Sequence, residues 1–361
     1  IEMASAQVLA IALEFDKHRY RYGFTLCLIQ LATKDLCLII DPFLPLDLTE
    51  VYALIQSPEK LKLCFEFKED NKLLLLHNCR PTNLYDLSIA SKLLDYSQIS
   101  LSNLLLEELN ISIVKDSQMS NWVQRPLSQK QIDYAANDVI YLFQLYEALE
   151  PKVAAVGREE WVRQENLKYQ EEEVEKTQEI QVKAKYKKDL SEGQYFVFMK
   201  LQEFREELAK KYDRPAFQIA NTDFLHALSQ NFKTINQFNK LAKPYKPLKT
   251  EAFKVELLRI AKRAYEEAKS NGLSFSKNAI EKLPFEEYIS LKQKKAKAER
   301  LQEEYYKPIQ LFMKEKYGEN VGTFLLSNRY MGQLAMNEVS PPAYLQELIV
   351  DIANEIEVSE F

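Results

Sequence analysis

Residues 8–15, VLAIALEF, place the tightest limit on what this chain can fold into. Read with a period of two, Val8, Ala10, Ala12 and Glu14 face one way, and Leu9, Ile11, Leu13 and Phe15 the other. A strand that is apolar on both faces belongs in the middle of a sheet covered by helices. Its single carboxylate, Glu14, falls at the C-terminal end, where open α/β sheets gather their ligands. The same residue could equally mark the strand's emergence into water, since Asp16, Lys17, His18 and Arg19 follow at once.

The next 130 residues alternate strand-like and helix-like patterns. FTLCLIQLA and DLCLIID read as two more strands, joined around Arg21-Tyr22-Gly23 and Thr33-Lys34 into an antiparallel meander. DLTEVYALIQS reads as a helix capped near Asp47, LKLCFEF as a strand, and EDNKLLLLH, YDLSIASKLLD and SLSNLLLEEL as helices. SQKQIDYAANDVIYLFQLYEALE reads as one long amphipathic helix with Ser128 as its N-cap. Residues 1–150 are therefore expected to form an α/β domain on a mixed sheet. Residues 151–190 are dominated by charge and read as an exposed helical linker. Residues 191–275 and 276–361 show helical patterns only. Each set opens on a long helix followed by short ones, which suggests a degenerate repeat.

Bulk properties exclude some functions. No apolar run approaches the roughly 20 residues a membrane span requires. The four cysteines, Cys27, Cys37, Cys64 and Cys79, lack zinc-type or redox spacing, which suits a reduced cytoplasmic protein. The opening Ile1-Glu2-Met3 is unlike a secretory signal and reads as the start of a fragment. The net charge of −5 is uneven: residues 1–150 carry 13 basic against 20 acidic side chains, and the remainder 35 against 33. An acidic front half suits a cation site. The basic Lys240, Lys243, Lys246, Lys249, Lys254, Arg259, Lys262 and Arg263 suit a polyanion surface or a solvated helix face.

Three acidic positions carry the chemistry. Glu14 ends the first strand, Asp70 opens a helix in CFEFKEDNKLLLL, and Asp138 follows Tyr134 by one helical turn. Carboxylates from separate elements around one strand end suit hard divalent cations. Two such ions about 4 Å apart can activate water and stabilise a leaving oxygen in phosphodiester cleavage. A tyrosine beside them can hold that water by hydrogen bonding.

The order and spacing of these residues resemble ribonuclease D and the DEDD family of 3′–5′ exonucleases, in the subclass with a tyrosine in its last motif. The third motif stands as YAAND, Tyr134 to Asp138, inside NWVQRPLSQKQIDYAANDVIYL; the second as CFEFKED, with YDLSIASKLL behind it; the first as ALEF. The resemblance covers residues 8 to about 148. It implies a ribonuclease H-like mixed sheet and two Mg²⁺ or Mn²⁺ ions. Glu14 and Asp138 would hold the ion that activates water, Asp70 would serve the other, and Tyr134 would orient the nucleophile. Where the family has its first aspartate, contacting both metals, this chain has Ala12. By strand parity that position shares the face of Glu14. The loss should weaken metal binding and slow chemistry by orders of magnitude. An Asp→Ala replacement made to inactivate the enzyme and a natural pseudo-exonuclease both remain open, while Asp16 has the right parity but the wrong order to substitute.

LQEFREELAKKYDRPAFQIANTDFLHALSQNFKTINQFNKLA resembles the HRDC module, the helicase and ribonuclease D C-terminal domain, and residues 276–361 a more divergent second copy. Together the resemblances imply a 3′–5′ exoribonuclease acting on single-stranded RNA 3′ ends, as in trimming of tRNA or other structured RNA. It would release 5′-monophosphates, with all-α HRDC-like modules helping to hold nucleic acid through the lysines and arginines above. Phe15 would be core or abut the terminal nucleotide. A DNA-directed exonuclease and a non-catalytic RNA-binding scaffold are the alternatives. Neither a membrane partner nor any oligomeric state is implied.

Overall fold

The computed structural model describes residues 2–113, 120–173, 180, 182–242, 244–276 and 285–359. Five strands form one sheet: β1 (Val8–Lys17), β2 (Phe24–Ala32), β3 (Cys37–Ile40), β4 (Leu61–Cys64) and β5 (Leu84–Asp86), in the order β3-β2-β1-β4-β5. β1 is central, as its two apolar faces require, and Leu9, Ala10 and Ile11 are fully buried. It runs parallel to β4 with Val8 opposite Leu61 and Ala10 opposite Leu63. β4 runs parallel to β5, and β2 antiparallel to β3, so the sheet is mixed.

Besides a single turn at Glu2–Ser5, the helices of this region are α1 (Thr49–Gln56), α2 (Lys68–Leu76), α3 (Leu87–Leu93), α4 (Leu101–Leu109), α5 (Gln129–Ile140), α6 (Leu142–Ala155) and α7 (Glu159–Glu171). Ala10, Ala32, Leu63 and Leu87 pack with Val139 of α5 and with Leu142, Leu145 and Leu149 of α6, and Val8 and Ala12 lie at the margin of the same cluster. The even-numbered face of β1 thus looks toward α5 and α6, which is the parity that the alternation predicted.

Two expected elements differ. The segment YDLSIASKLLD begins as β5 rather than as helix, because Leu84 to Asp86 pair with β4; Asp86 then caps α3 by accepting the Ser88 N–H at 2.9 Å. The long helix from Ser128 is two helices, breaking at Tyr141 just after the β-branched pair Val139-Ile140. Ser128 itself makes the reciprocal capping box with Gln131.

The chain divides into two compact units. The first joins Ile1–Glu14 and Leu26–Val174 to the C-terminal stretch Leu283–Phe361. That stretch supplies α11 (Phe285–Leu301), α12 (Lys307–Tyr317), α13 (Glu319–Leu325), α14 (Asn328–Ala335) and α15 (Ala343–Glu355). Ile309, Met313, Val321, Leu345 and Ile352 form one apolar cluster with Ile89, Ala90 and Leu93 of α3 and Val162 of α7. α7 lies in the stretch read as a charged linker, and it buries Val162, Glu165 and Asn166. Asp95 accepts the Asn320 N–H at 2.7 Å, and a Cβ on Gly318, whose φ is +116°, would lie 2.2 Å from its Cγ. Only glycine fits there.

The second unit joins Phe15–Thr25 to Glu175–Lys282. Its main helices are α8 (Glu192–Tyr212), α9 (Thr222–Gln230) and α10 (Glu251–Ser270). Val197, Phe198, Leu201, Phe224, Leu228, Phe238, Leu257 and Ala261 make its core, with Tyr22 at the margin. Asp213, in the left-handed conformation, accepts Arg21 Nε at 2.6 Å and the Tyr22 N–H at 3.2 Å. Among the described residues no strand follows β5.

One feature of the sheet costs stability. Lys62 of β4 is fully buried, and its Nζ donates to the Ser57 carbonyl at 2.5 Å, with no carboxylate partner among the described residues. Burial lowers its pKa to about 8. A lysine whose folded-state pKa lies below its unfolded value binds fewer protons when folded. Stability therefore rises as pH climbs from about 8 toward 10.5. Lys62→Met should raise stability at pH 7 by about 1–2 kcal/mol and flatten that rise. Urea denaturation at pH 7 and pH 9.5 checks both.

Candidate active site

Glu14, Asp70, Asp138 and Tyr134 come together at the C-terminal end of β1. Glu14 is 9% exposed. Asp70 is the third residue of α2, and its Oδ2 accepts the N–H of Leu13 at 3.1 Å. That N–H belongs to the peptide immediately after Ala12, so the bond fastens α2 onto β1 at the position where the exonuclease pattern has its first aspartate. Asp138 and Tyr134 lie one turn apart on α5, and the Tyr134 hydroxyl donates to the Asp138 carboxylate. Glu14 and Asp138 are hydrogen-bonded through their carboxyl groups. Two carboxyls can share such a bond only through a proton.

All three acids are held above their ordinary range. For Glu14 burial is the main cause, followed by repulsion from Asp138 and Asp70. Asp70 is raised by burial, against which the Leu13 N–H acts, and by repulsion from Asp138. Asp138 is pushed up to about 7 by burial, while its bonds from Glu14 and Tyr134 pull it down. Burial, then Asp138 and Glu14, also raise Tyr134, which keeps its hydroxyl a donor at neutral pH.

Nearby segments aim these groups. Asp86, fully buried, accepts the N–H groups of Glu66 and Phe67, each at 3.0 Å. Glu66 is left-handed, with φ 52°, and Phe67 caps α2 without a side-chain bond. The turn that leads into Asp70 therefore takes its shape from Asp86. Before α5, Arg125 grips Asp41 with Nε at 2.6 Å and Nη2 at 2.9 Å and donates to the carbonyls of Cys27 and Trp122 at 2.9 and 2.7 Å. Its guanidinium also lies over the Phe43 ring, 4.7 Å from the centroid. Trp122 is buried, its ring 6.0 Å from that of Tyr134, and serves packing.

The cluster offers oxygen donors only, enclosed and mutually repelling, which is the setting a hard divalent cation relieves. The donor types fit such an ion, although among the described residues no group of three acidic, histidine or cysteine side chains is arranged to hold one.

The other predicted positions belong to the second unit. Asp16 accepts the N–H groups of Tyr20 and Arg21 at 3.0 and 2.9 Å, so its carboxylate is committed to a turn. Phe15 meets Phe24 edge-on at 4.9 Å. In the second unit Lys240, Lys246 and Lys249 are exposed, as are Arg259, Lys262 and Arg263 on α10. Lys254 and Arg259 pair with Glu251 and Glu256 on the same helix, each at 2.6 Å. Lys243 lies outside the described residues. Sequence reasoning did not single out Asp86 or the Arg125–Asp41 pair. An aspartate two residues before a serine at a helix start was the available signal for the former.

Residues 1–154 match the 3′-5′ exonuclease family. The sheet and the acidic cluster accord with that match, so this part of the chain is similar to a 3′–5′ exonuclease domain, a class of nuclease hydrolases. More particularly, its relatives are ribonuclease D enzymes. That of Gluconacetobacter diazotrophicus is 33% identical over 157 residues, which cover 43% of this chain and 40% of that protein. The chain thus spans about 40% of the length of the curated relatives it matches. Among solved structures, Escherichia coli RNase D superposes with a TM-score of 0.64 at 17% identity, covering 98% of this chain and 95% of the other. A protein from Bifidobacterium adolescentis gives 0.74 at 16% identity, covering 99% and 93%. These two likenesses establish the fold, and the curated relatives similar to residues 1–154 are ribonuclease D proteins.

The raised carboxyls fix a pH dependence for the cation-free protein. A carboxyl with a raised folded-state pKa binds more protons folded than unfolded between about pH 4 and pH 7. Stability therefore falls as pH rises through that window. Asp138→Asn should raise stability at pH 7.5 by about 1–2 kcal/mol and leave it nearly unchanged at pH 4. Thermal melts in chelator at the two pH values measure this.

Proposed function

We propose that the chain is a ribonuclease D-like exonuclease that removes nucleotides singly from single-stranded RNA 3′ ends, with its activity suppressed by Ala12. The observation that carries this reading is the convergence of Glu14, Asp70 and Asp138 with the Tyr134 hydroxyl around the Ala12–Leu13 peptide. Two Mg²⁺ or Mn²⁺ ions bound by the three carboxylates would supply a water ionised near neutral pH and charge for the departing oxygen. Glu14 and Asp138 would hold the ion that activates water, and Asp70 would serve the other. The Tyr134 hydroxyl orients the attacking water. Water adds to the terminal phosphorus, the bond to the preceding 3′ oxygen breaks, and that oxygen takes a proton. The products are a nucleoside 5′-monophosphate and an RNA one residue shorter.

Ala12 supports the suppression. Its methyl group lies at the margin of the cluster shared with α5 and α6, where an aspartate would face the same ions as Glu14. Three carboxylates are then left for two dications. The helical modules, HRDC-like in sequence, would contribute phosphate contacts through Lys240, Lys246, Lys249, Lys262 and Arg263. Escherichia coli RNase D is an exoribonuclease involved in structured RNA processing, and trimming of such RNA in the cytoplasm is the role we assign to this chain.

The test is degradation of 5′-labelled single-stranded RNA with Mn²⁺, comparing this chain with its Ala12→Asp variant. The variant should shorten RNA from the 3′ end at least about 100-fold faster, the size of effect that one electrostatic group at a reacting centre carries. A labelled DNA of the same sequence reads sugar preference. Binding of RNA with no shortening by either chain would favour the second reading that Ala12 supports, a scaffold on an inactive nuclease fold.

A further inference from the structure

We infer that Tyr169, fifteen residues beyond the matched exonuclease region, is a positioning residue for the cation site. This inference rests on the cation site of the proposed exonuclease. Tyr169 lies near the end of α7 and touches the entry to α2 three times. Its hydroxyl donates to Asp86 Oδ2 at 2.7 Å. Its ring meets that of Phe67 edge-on at 6.2 Å. Its carbonyl accepts Asn71 Nδ2 at 3.0 Å, and Asn71 is the neighbour of Asp70. The three contacts bracket the turn that presents Asp70.

The physical chain is short. Asp86 is a carboxylate with no exposed surface, so each donor around it counts. Oδ1 takes Glu66 N–H and Ser88 N–H; Oδ2 takes Phe67 N–H and the Tyr169 hydroxyl. Of those four donors Tyr169 alone lies outside residues 1–154. The bonds to Glu66 and Phe67 hold a left-handed residue in place at the start of α2. Without the hydroxyl, Oδ2 keeps one donor, and the turn and Asp70 lose their fixed angle. α7 reinforces the grip beside it, since Asn71 also donates to Glu172 Oε2 at 2.9 Å and Asn166 Oδ1 accepts the Asp86 N–H at 2.8 Å. Orientation of a ligating carboxylate by its hydrogen-bonded neighbours typically changes metal affinity 10–100-fold.

The experiment uses the full chain carrying Ala12→Asp, with and without Tyr169→Phe, which removes one oxygen and keeps the ring. Free Mn²⁺ is read by electron paramagnetic resonance during titration, alongside kcat and KM on single-stranded RNA and a thermal melt. The expected result is Mn²⁺ affinity lowered about 10-fold and kcat reduced at limiting Mn²⁺, with the KM for RNA unchanged. Unaltered Mn²⁺ affinity beside a lower Tm would overturn the inference and leave Tyr169 a packing residue. Mn²⁺ binding that responds to Tyr169→Phe, in a chain that never cuts RNA, supports the positioning role and sinks the nuclease reading. No Mn²⁺ binding by the Ala12→Asp chain overturns both. Should Tyr169→Phe fail to fold, Asn71→Ala cuts the neighbouring tie between α2 and α7 and is judged by the same titration.

Discussion

Three carboxyl groups enclosed at the end of one strand repel one another, and much of the first unit is arranged to keep them there. Water would separate them at little cost; the interior does not. Glu14 is fixed because β1 is the central strand. Asp138 is fixed by α5, whose start is set by the Ser128 capping box and the Arg125 grip on Asp41. Asp70 depends on the single bond to the Leu13 N–H and on the turn shaped by Asp86. Burial and mutual repulsion raise both Glu14 and Asp138, and a proton held between them would relieve that repulsion.

The site was largely legible because its chemistry lies in residue types at local spacings. Tyr134 and Asp138 declare a common helix face through four-residue separation, and Glu14 declares its face through strand parity. The central position of β1 followed from having no polar face. What escaped has a common cause. Asp86 looks like any aspartate before a helix, and its work lies in accepting N–H groups some twenty residues back in the chain. The hairpin Phe15–Thr25 reads as a turn between two strands, yet it is grouped with helices that begin some 160 residues later. Pairings across such separations leave no periodicity to read.

The acidic and basic halves of the sequence also take different structural forms. In the first unit negative charge is concentrated, buried and organised by donors. In the second, the basic side chains of α10 project from a helix whose other face carries Phe253, Leu257 and Ala261, and some are already met by acids on the same helix. Such cations are screened and adaptable.

The first unit is discontinuous, and this has a consequence for how the protein is made. The stretch that packs on α3 and α7 is the last of the described sequence to leave the ribosome, with the whole second unit synthesised in between. Tyr344 of α15 donates to Glu165 of α7 at 2.7 Å, and its ring stacks on Trp161, 5.5 Å between centroids. The helix bearing Tyr169 therefore gains these contacts only once α15 has been made. During synthesis the sheet and its acids stand for some time without that brace, while the second unit has all of its sequence. The contacts that α15 makes with α7 are therefore the last of these to become available to a nascent chain.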